Sequence, residues 1–197
     1  MNWMKTQRII LASQSPRRKE LLAQAGFEFD VMVADIDEEN FPADLAITDL
    51  PAYLAQKKAQ KIFDLHHTQD RLILAADSLV FKDQRIYTKP IDRSDAIYIL
   101  DSLQGQKHEV ITGVCLLSAD YLDIRSVLTE VVFEPMSKPE IEYYIDVFKP
   151  YDKAGAYGIQ DWIGLCKVKE IRGSYSNIMG LPMNIVYTML EKYLTKA

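Results

Sequence analysis

Near its start the chain carries a short apolar run that leads through two serines and a proline into a basic segment. Residues 9–12 are apolar, Ser15 and Pro16 follow after a tight loop, and Arg17 and Arg18 come next. This order predicts a strand, a loop and a helix over about residues 16–25, because serine caps helices and proline is tolerated at their first position. Unpaired amides at a helix start bind anions. The stretch therefore fits an anion site flanked by two arginines, and it also fits a solvated basic turn.

Residues 50–66 have apolar positions at helical spacing and predict an amphipathic helix. Its apolar face is formed by Leu54, Ala55, Ala59, Ile62 and Leu65. Lys58 falls in the middle of that face. A lysine in this position either extends its ammonium past the apolar surface into solvent or reaches an anion in a cleft, and the pattern fits both.

The run over residues 71–81 is continuously apolar except for one acid, Asp77. Continuous rather than alternating apolar positions indicate a central strand that is buried on both faces. A carboxylate at the end of such a strand is costly to bury without partners. Asp77 is therefore the strongest single candidate for a catalytic base or a metal ligand, and the alternative is an acid that caps a neighbouring backbone turn.

Two further stretches carry charge that could serve a site. The loop over residues 35–40 contains four carboxylates, on Asp35, Asp37, Glu38 and Glu39. Such charges repel one another unless water or a cation screens them, so the loop is either solvated or a site that orients a divalent metal or water. Lys89 precedes Pro90, which favours extended backbone and would fix the direction of the lysine, although many surface lysines precede prolines.

The remaining pattern predicts helices interspersed with long antiparallel strands, which is compatible with an α/β fold. We expect a hairpin turn at residues 83–84, a helix over 94–103, antiparallel strands over 110–117 and 121–133, a helix after Ser137, a strand over 165–171, a turn over 173–177 and a last helix over 183–192. No repeat or linker divides the chain. The prediction is a single domain over residues 1–197 that has room for two lobes.

Composition narrows the class of ligand. The 197 residues carry a net charge of −5, which argues against a general nucleic-acid binder and leaves the local basic cluster for a small anion. Cys115 and Cys166 lie in apolar runs without a metal-ligand spacing, so we expect buried free thiols. No apolar run reaches membrane-spanning length, and residues 1–8 lack the core of a signal peptide. These features predict a cytoplasmic protein without a membrane partner.

Taken together, the cationic and acidic candidates describe a site for a polyphosphate and a divalent metal. The cations would hold charge on the phosphate chain, and the metal would bridge phosphate and carboxylate. A carboxylate could then orient or deprotonate a water molecule for attack on phosphorus.

Seven short segments carry a more specific pattern. They are Ser13-Gln14-Ser15-Pro16-Arg17-Arg18-Lys19-Glu20-Leu21-Leu22, Gln56-Lys57-Lys58-Ala59, Ala76-Asp77-Ser78, Lys89-Pro90, Thr112-Gly113, Asp152-Lys153-Ala154-Gly155-Ala156-Tyr157-Gly158-Ile159-Gln160 and Gly180-Leu181-Pro182. In this order they resemble the motifs of the Maf family of nucleoside triphosphate pyrophosphatases. The segments span nearly the whole chain, which makes the resemblance more specific than one glycine-rich motif would be.

The resemblance implies a reaction, a fold and an assembly. The reaction is hydrolysis of a nucleoside triphosphate between its α- and β-phosphates, giving a monophosphate and pyrophosphate, with Mg²⁺ or Mn²⁺ as the divalent metal. The fold is an elongated mixed β-sheet with flanking helices, in two lobes around a central cleft. The usual assembly is a homodimer.

The resemblance also implies roles for individual residues. Asp77 would accept the proton, and Glu38 would help to place the metal or water, so that these two carboxylates are the expected metal ligands. The phosphates would be held by Ser13, Arg18, Lys58 and Lys89.

Three positions separate two branches of the family. Arg17, Ser78 and Gln160 resemble the branch that acts on dTTP and UTP, whereas Trp, Gln and Glu at these places are similar to enzymes acting on 7-methyl-GTP. Two positions depart from the family pattern: Ser78 stands where threonine is more usual, and Asp161-Trp162 follows Gln160 where the family more often has glycine.

Other functions stay open from sequence. The enzyme could act on modified pyrimidine nucleotides, on 7-methyl-GTP or on a broader range of modified nucleotides. In a different class, the chain could be a nucleotide-binding regulator of septum formation. Turnover separates these classes, because a binding protein needs the cationic cluster but no aligned base.

Overall fold

The computed structural model describes residues 8–38, 40–66 and 71–195. Its strands are β1 (Ile9–Leu11), β2 (Phe29–Val31), β3 (Ile73–Lys82), β4 (Arg85–Tyr87), β5 (Lys107–Leu117), β6 (Leu122–Phe133) and β7 (Val168–Arg172). Its helices are α1 (Pro16–Gln24), α2 (Leu50–His66), α3 (Arg93–Leu103), α4 (Lys138–Phe148), α5 (Trp162–Cys166), α6 (Tyr175–Ile178) and α7 (Met183–Leu194). A 3₁₀ turn covers Ala154–Ala156.

Within the described residues the strands form one mixed seven-stranded sheet in the order β2-β1-β3-β5-β6-β7, with β4 paired to β3. Strand β1 is parallel to both β2 and β3, whereas the β3–β4 and β6–β7 pairs are antiparallel. A sheet with flanking helices is the α/β architecture that the sequence predicted.

The chain divides into two compact units. The first contains the residues up to Asp77, Thr112–Val127 and the chain from Gly180, and the second contains Ser78–Ile111 and Leu128–Met179. Strands β3, β5 and β6 contribute residues to both units.

In the first unit, α2 packs closely on the sheet because small residues line the contact. Ala55 and Ala59 of α2 and Ala75 of β3 are fully buried, together with Ile10 and Ile62. At Gly113 of β5 an added Cβ would lie 2.2 Å from the backbone of residues 51 and 52, so only glycine allows this approach to the start of α2. This contact explains the Thr112-Gly113 pair in physical terms.

The second unit has an aromatic centre. The ring of His108 lies 4.7 Å from that of Phe133, and its Nε2 is 2.8 Å from the hydroxyl of Tyr157. Burial lowers the pKa of His108 to about 3, so the imidazole is neutral at physiological pH. His108 therefore serves the packing of this unit as an uncharged ring.

Most element predictions are confirmed. Helix α2 has the predicted bounds, α1 ends one residue early, and the β3–β4 hairpin turns at Asp83 and Gln84, both of which have positive φ angles. The predicted strand over residues 165–171 is wrong at its start. There Asp161 O accepts bonds from the amides of Gly164 and Leu165, and the short helix α5 forms instead.

Three smaller predictions are also wrong. The predicted turn over residues 173–177 contains the one-turn helix α6. Leu65, placed on the apolar face of α2, is 55% exposed. Cys166 is exposed at the end of α5, whereas Cys115 is buried as predicted. None of the described helices combines the length and the apolar character that a membrane crossing requires.

Candidate active site

The loop between β1 and α1 is organised by serine hydroxyls. Ser15 caps α1, and its Oγ accepts a bond of 3.5 Å from the amide of Arg18. The amide of Ser15 in turn donates to Oγ of Ser13 at 3.2 Å. Pro16 occupies the first turn, as predicted, because its missing N–H leaves no bond unmade there. The loop therefore has a defined shape directly after β1.

Beyond the end of β1, the side chain of Arg18 donates the next hydrogen bond to β3. The amides of Ile10 and Ala12 donate to the carbonyl groups of Leu72 and Leu74 at 2.8 Å each. Strand β1 ends at Leu11, and the next carbonyl on this side, that of Ala76, accepts a bond of 2.8 Å from Nη1 of Arg18. At the residue before Asp77, the guanidinium of Arg18 thus makes the hydrogen bond that a neighbouring strand would otherwise make.

The same guanidinium makes two more bonds within the first unit. Its Nε donates to the carbonyl of Gly180 at 2.7 Å, and its Nη1 also reaches Oγ of Ser13 at 3.2 Å. Burial lowers the pKa of Arg18, and the nearby carboxylate of Asp77 partly opposes that change. Arginine stays protonated even so. Arg18 therefore links α1, β3 and the chain before α7 around a fixed positive charge.

Asp77 lies within β3 rather than at its end. The strand continues to Lys82, close to the end of the predicted run over residues 71–81, so only the expectation that Asp77 ends the strand is wrong. The reason is that β4 pairs with residues 80–82 and keeps the chain extended. At Asp77, β3 no longer pairs with its parallel partner β1, and the sequence analysis took this point for the end of the strand.

The ammonium of Lys58 lies between two carboxylates. Its Nζ is 2.5 Å from Oδ1 of Asp77 and 2.6 Å from Oε1 of Glu38. The side chains of Lys58 and Asp77 are only 13% and 14% exposed, whereas that of Glu38 is 54% exposed. Of the two predicted fates for this lysine, the structure shows the anionic contact rather than extension into solvent.

The loop that carries Glu38 is attached to α2 by a neighbouring lysine. Nζ of Lys57 donates to the carbonyl groups of Asp37 at 3.1 Å and Asn40 at 2.9 Å. Glu38 lies between these two residues. Sequence reasoning missed this role because backbone acceptors leave no signal in the side-chain pattern. Glu39, the fourth acid of the predicted loop, lies outside the described residues.

The donor set suits a small hard cation. Mg²⁺ is usually held by one or two carboxylates together with phosphate oxygens of the substrate. Asp77 and Glu38 meet this requirement, because both point at a single cationic atom, Nζ of Lys58. Among the described residues no group of three or more His, Cys, Asp or Glu side chains could hold a metal by itself. Two carboxylates would leave the rest of the coordination of such a cation to water or phosphate oxygens.

The structure thus links five of the predicted residues through contacts inside the first unit: Ser13, Arg18, Glu38, Lys58 and Asp77. Arg17 also belongs to this unit, on α1. The other three predicted residues belong to the second unit. There Ser78 is half-buried directly after Asp77, and Lys89 and Gln160 are exposed.

One contact beside Gln160, between Tyr144 and Asp161, was not recognised from sequence. Tyr144 belongs to the apolar stripe of α4, and its hydroxyl donates to Oδ2 of Asp161 at 2.8 Å. Nothing in the helical spacing of Tyr144 indicates a polar partner. The departure at Asp161 was visible, but its partner was not, because the two residues are distant in sequence.

Fold and site define a class: an α/β protein in which two carboxylates and a buried cation meet beside a capped, basic helix start. The chain belongs to the Maf family, since the profile described as Maf-like protein matches residues 8–193.

Relatives share this family across nearly the whole chain. The chain is 46% identical to the dTTP/UTP pyrophosphatase of Phocaeicola vulgatus over 94% of this chain and 95% of the relative. It is 42% identical to the protein of the same name in Bacteroides thetaiotaomicron, over 93% and 95% of the two chains. A third such protein, from Flavobacterium psychrophilum, is 43% identical over 93% of each chain.

Replacing Arg18 with lysine is expected to destabilise the protein, because one ammonium cannot make the bonds to Ala76, Gly180 and Ser13 together. We expect the free energy of unfolding to fall by about 2 kcal/mol in urea denaturation, the scale of hydrogen bonds to charged groups. The adjacent variant Arg17→Lys is the control and should change it by about 0.5 kcal/mol or less. Equal losses in the two variants would contradict the linking role.

Proposed function

We propose that the chain hydrolyses dTTP and UTP between the α- and β-phosphates and releases the monophosphate and pyrophosphate. The observation that carries the proposal is the ammonium of Lys58 shared by Asp77 and Glu38. The names of relatives at 46%, 42% and 43% identity support the substrates.

Asp77 is the proposed proton acceptor. Lys58 contacts Oδ1 of Asp77, which leaves Oδ2 as the oxygen that takes a proton from the attacking water. Because Asp77 is mostly buried and bonded on one side, its carboxylate has a defined direction. Such an orientation is worth more to catalysis than the basicity of a solvated carboxylate, since it removes the cost of arranging the reacting groups.

The cations are proposed to hold the triphosphate. Arg18 and Lys58 are proposed to supply fixed charge, Ser13 a hydroxyl donor and Lys89 an ammonium. Charge that is already oriented stabilises the negative transition state without rearranging. Lys58 has a second effect here, because it offsets the repulsion between Asp77, Glu38 and the incoming phosphates.

We propose Mg²⁺ or Mn²⁺ as the cofactor, held by Asp77 and Glu38. Support comes from the two carboxylates that face one cationic atom. When bound, such a metal neutralises phosphate charge and polarises the phosphorus–oxygen bonds. Half of the Glu38 side chain is exposed, so a metal with its bound water could reach this carboxylate.

Arg17, Ser78 and Gln160 are proposed to favour dTTP and UTP. A glutamine side chain carries both a donor and an acceptor, which matches the carbonyl and N–H groups on one edge of uracil or thymine. Guanine derivatives offer a different pattern on their corresponding edge. The exposed position of Gln160 leaves its amide accessible to a ligand.

We propose that the chain forms a homodimer and that it acts in the cytoplasm. Exposed apolar side chains such as Val147 (55%) and Leu165 (82%) in the second unit support self-association. Cys115 and Cys166 carry free thiols, which suits a reducing compartment.

Analytical ultracentrifugation should give twice the chain mass at micromolar concentration, and a monomer at that concentration would contradict the assembly.

Replacing Asp77 with asparagine should abolish pyrophosphate release while substrate still binds, because the amide keeps the shape but cannot accept the proton. A panel of nucleoside triphosphates with Mg²⁺, scored for pyrophosphate and for phosphate, measures this loss, which we expect to reach about 10³-fold. The panel repeated with a chelator tests the metal. Asp83→Asn, on the exposed turn after β3, is the matched control. Undiminished turnover in Asp77→Asn, or phosphate as the product, would contradict the proposal.

Exchanging two specificity positions should change the preferred base. We expect Arg17→Trp combined with Gln160→Glu to shift preference from dTTP and UTP towards 7-methyl-GTP, because a carboxylate accepts from donors on guanine that an amide does not match. The ratio of kcat/KM values for UTP and 7-methyl-GTP is the measurement. Ratios that stay unchanged would show that these residues do not select the base.

A further inference from the structure

Gln160 lies at the corner of a tight turn in the second unit. The amide of Asp161 donates to the carbonyl of Gly158 at 3.0 Å, which closes a four-residue turn. Ile159 and Gln160 occupy its two central positions. Ile159 is buried and Gln160 is exposed. The direction of the Gln160 side chain therefore depends on how firmly the turn is held.

One buried hydroxyl contacts both ends of this turn. The Oη atom of Tyr144 accepts a bond of 2.9 Å from the amide of Gly158 and donates a bond of 2.8 Å to Oδ2 of Asp161. Tyr144 itself is fully buried on α4. Burial and the neighbouring carboxylate raise the pKa of Tyr144, so the hydroxyl keeps its proton and remains a donor.

The turn has little room to shift. A Cβ added at Gly158 would lie 2.5 Å from Oδ2 of Asp161, and one added at Gly164 would lie 1.7 Å from the carbonyl oxygen of Ile159. Lys153 places its Nζ 3.9 Å from Oδ2 of Asp161, which adds an opposite charge to the carboxylate that Tyr144 contacts. Glycines, hydroxyl and carboxylate thus define one arrangement of the four residues.

We propose that Tyr144 and Asp161 are positioning residues for base selection, which act by fixing the turn that presents Gln160 to the nucleobase. The inference deepens the proposed function and rests on its assignment of Gln160. Hydrogen bonds weaken steeply with distance and angle, so an amide on a loosened turn would lose discrimination between bases. Asp161 is therefore a support behind the base-reading residue rather than a second reader beside it.

The test compares two neighbouring tyrosines on α4. Tyr144→Phe removes the hydroxyl from the turn but keeps the ring, whereas Tyr143→Phe removes one from a half-exposed ring that packs on Trp162. We expect Tyr144→Phe to lower the ratio of kcat/KM for UTP to that for GTP by about tenfold, mainly through KM for UTP. Tyr143→Phe should leave the ratio unchanged.

Substitutions at Asp161 give a second, more exposed variant pair. Asp161→Asn keeps an oxygen that accepts from Tyr144 and should retain the wild-type ratio, whereas Asp161→Ala should reproduce the loss seen with Tyr144→Phe. A merely structural role would lower the melting temperature and reduce kcat/KM equally for every nucleotide. Equal reduction, or an unchanged ratio in either Tyr144→Phe or Asp161→Ala, would overturn the inference.

Gln160→Ala separates this inference from the proposed function. If Gln160→Ala loses selectivity and Tyr144→Phe adds no further loss in the double variant, the two residues act through one contact, as proposed. If Gln160→Ala loses selectivity while Tyr144→Phe retains it, the positioning role is wrong and the base-reading role stands. If Gln160→Ala retains selectivity, the assignment of Gln160 fails and the inference fails with it.

Discussion

The first unit depends on the guanidinium of Arg18, which bonds to β3 where the neighbouring strand β1 has ended. Strand β1 ends at Leu11, and without Arg18 the carbonyl of Ala76 would lose its partner beside Asp77. Unpaired buried carbonyl groups are costly, so this bond stabilises β3 directly beside Asp77. The same guanidinium contacts Ser13 and Gly180, and the loop, the strand and the chain before α7 are thereby held around Asp77.

Charged side chains make a second set of contacts at Asp77. Lys58 rises from the apolar face of α2 and meets Asp77 and Glu38, so its burial is offset by two opposite charges. Lys57, one residue earlier, holds the Glu38 loop by its backbone. Adjacent lysines on one helix thus have different tasks: one contacts the carboxylates, and the other positions the loop that supplies one of them.

Sequence reasoning reached those features whose physics is local. The cap at Ser15, the apolar face of α2 and the isolated acid in β3 each follow from neighbouring residues, and the structure contains all three. It missed the features that depend on distant partners. The bond of Arg18 to Ala76 joins two segments that are 58 residues apart, and the contact of Tyr144 with Asp161 joins an apolar stripe to a distant turn. Short helices such as α5 were missed because five residues carry too little periodicity.

In the proposed reaction, water attacks the α-phosphorus of dTTP or UTP, Asp77 accepts its proton, and pyrophosphate leaves. Hydrolysis in heavy-oxygen water, followed by mass spectrometry of both products, tests this claim most directly, because the label marks the phosphorus that was attacked. We expect one heavy oxygen in the nucleoside monophosphate and none in pyrophosphate. Label in pyrophosphate, or release of labelled inorganic phosphate, would contradict it.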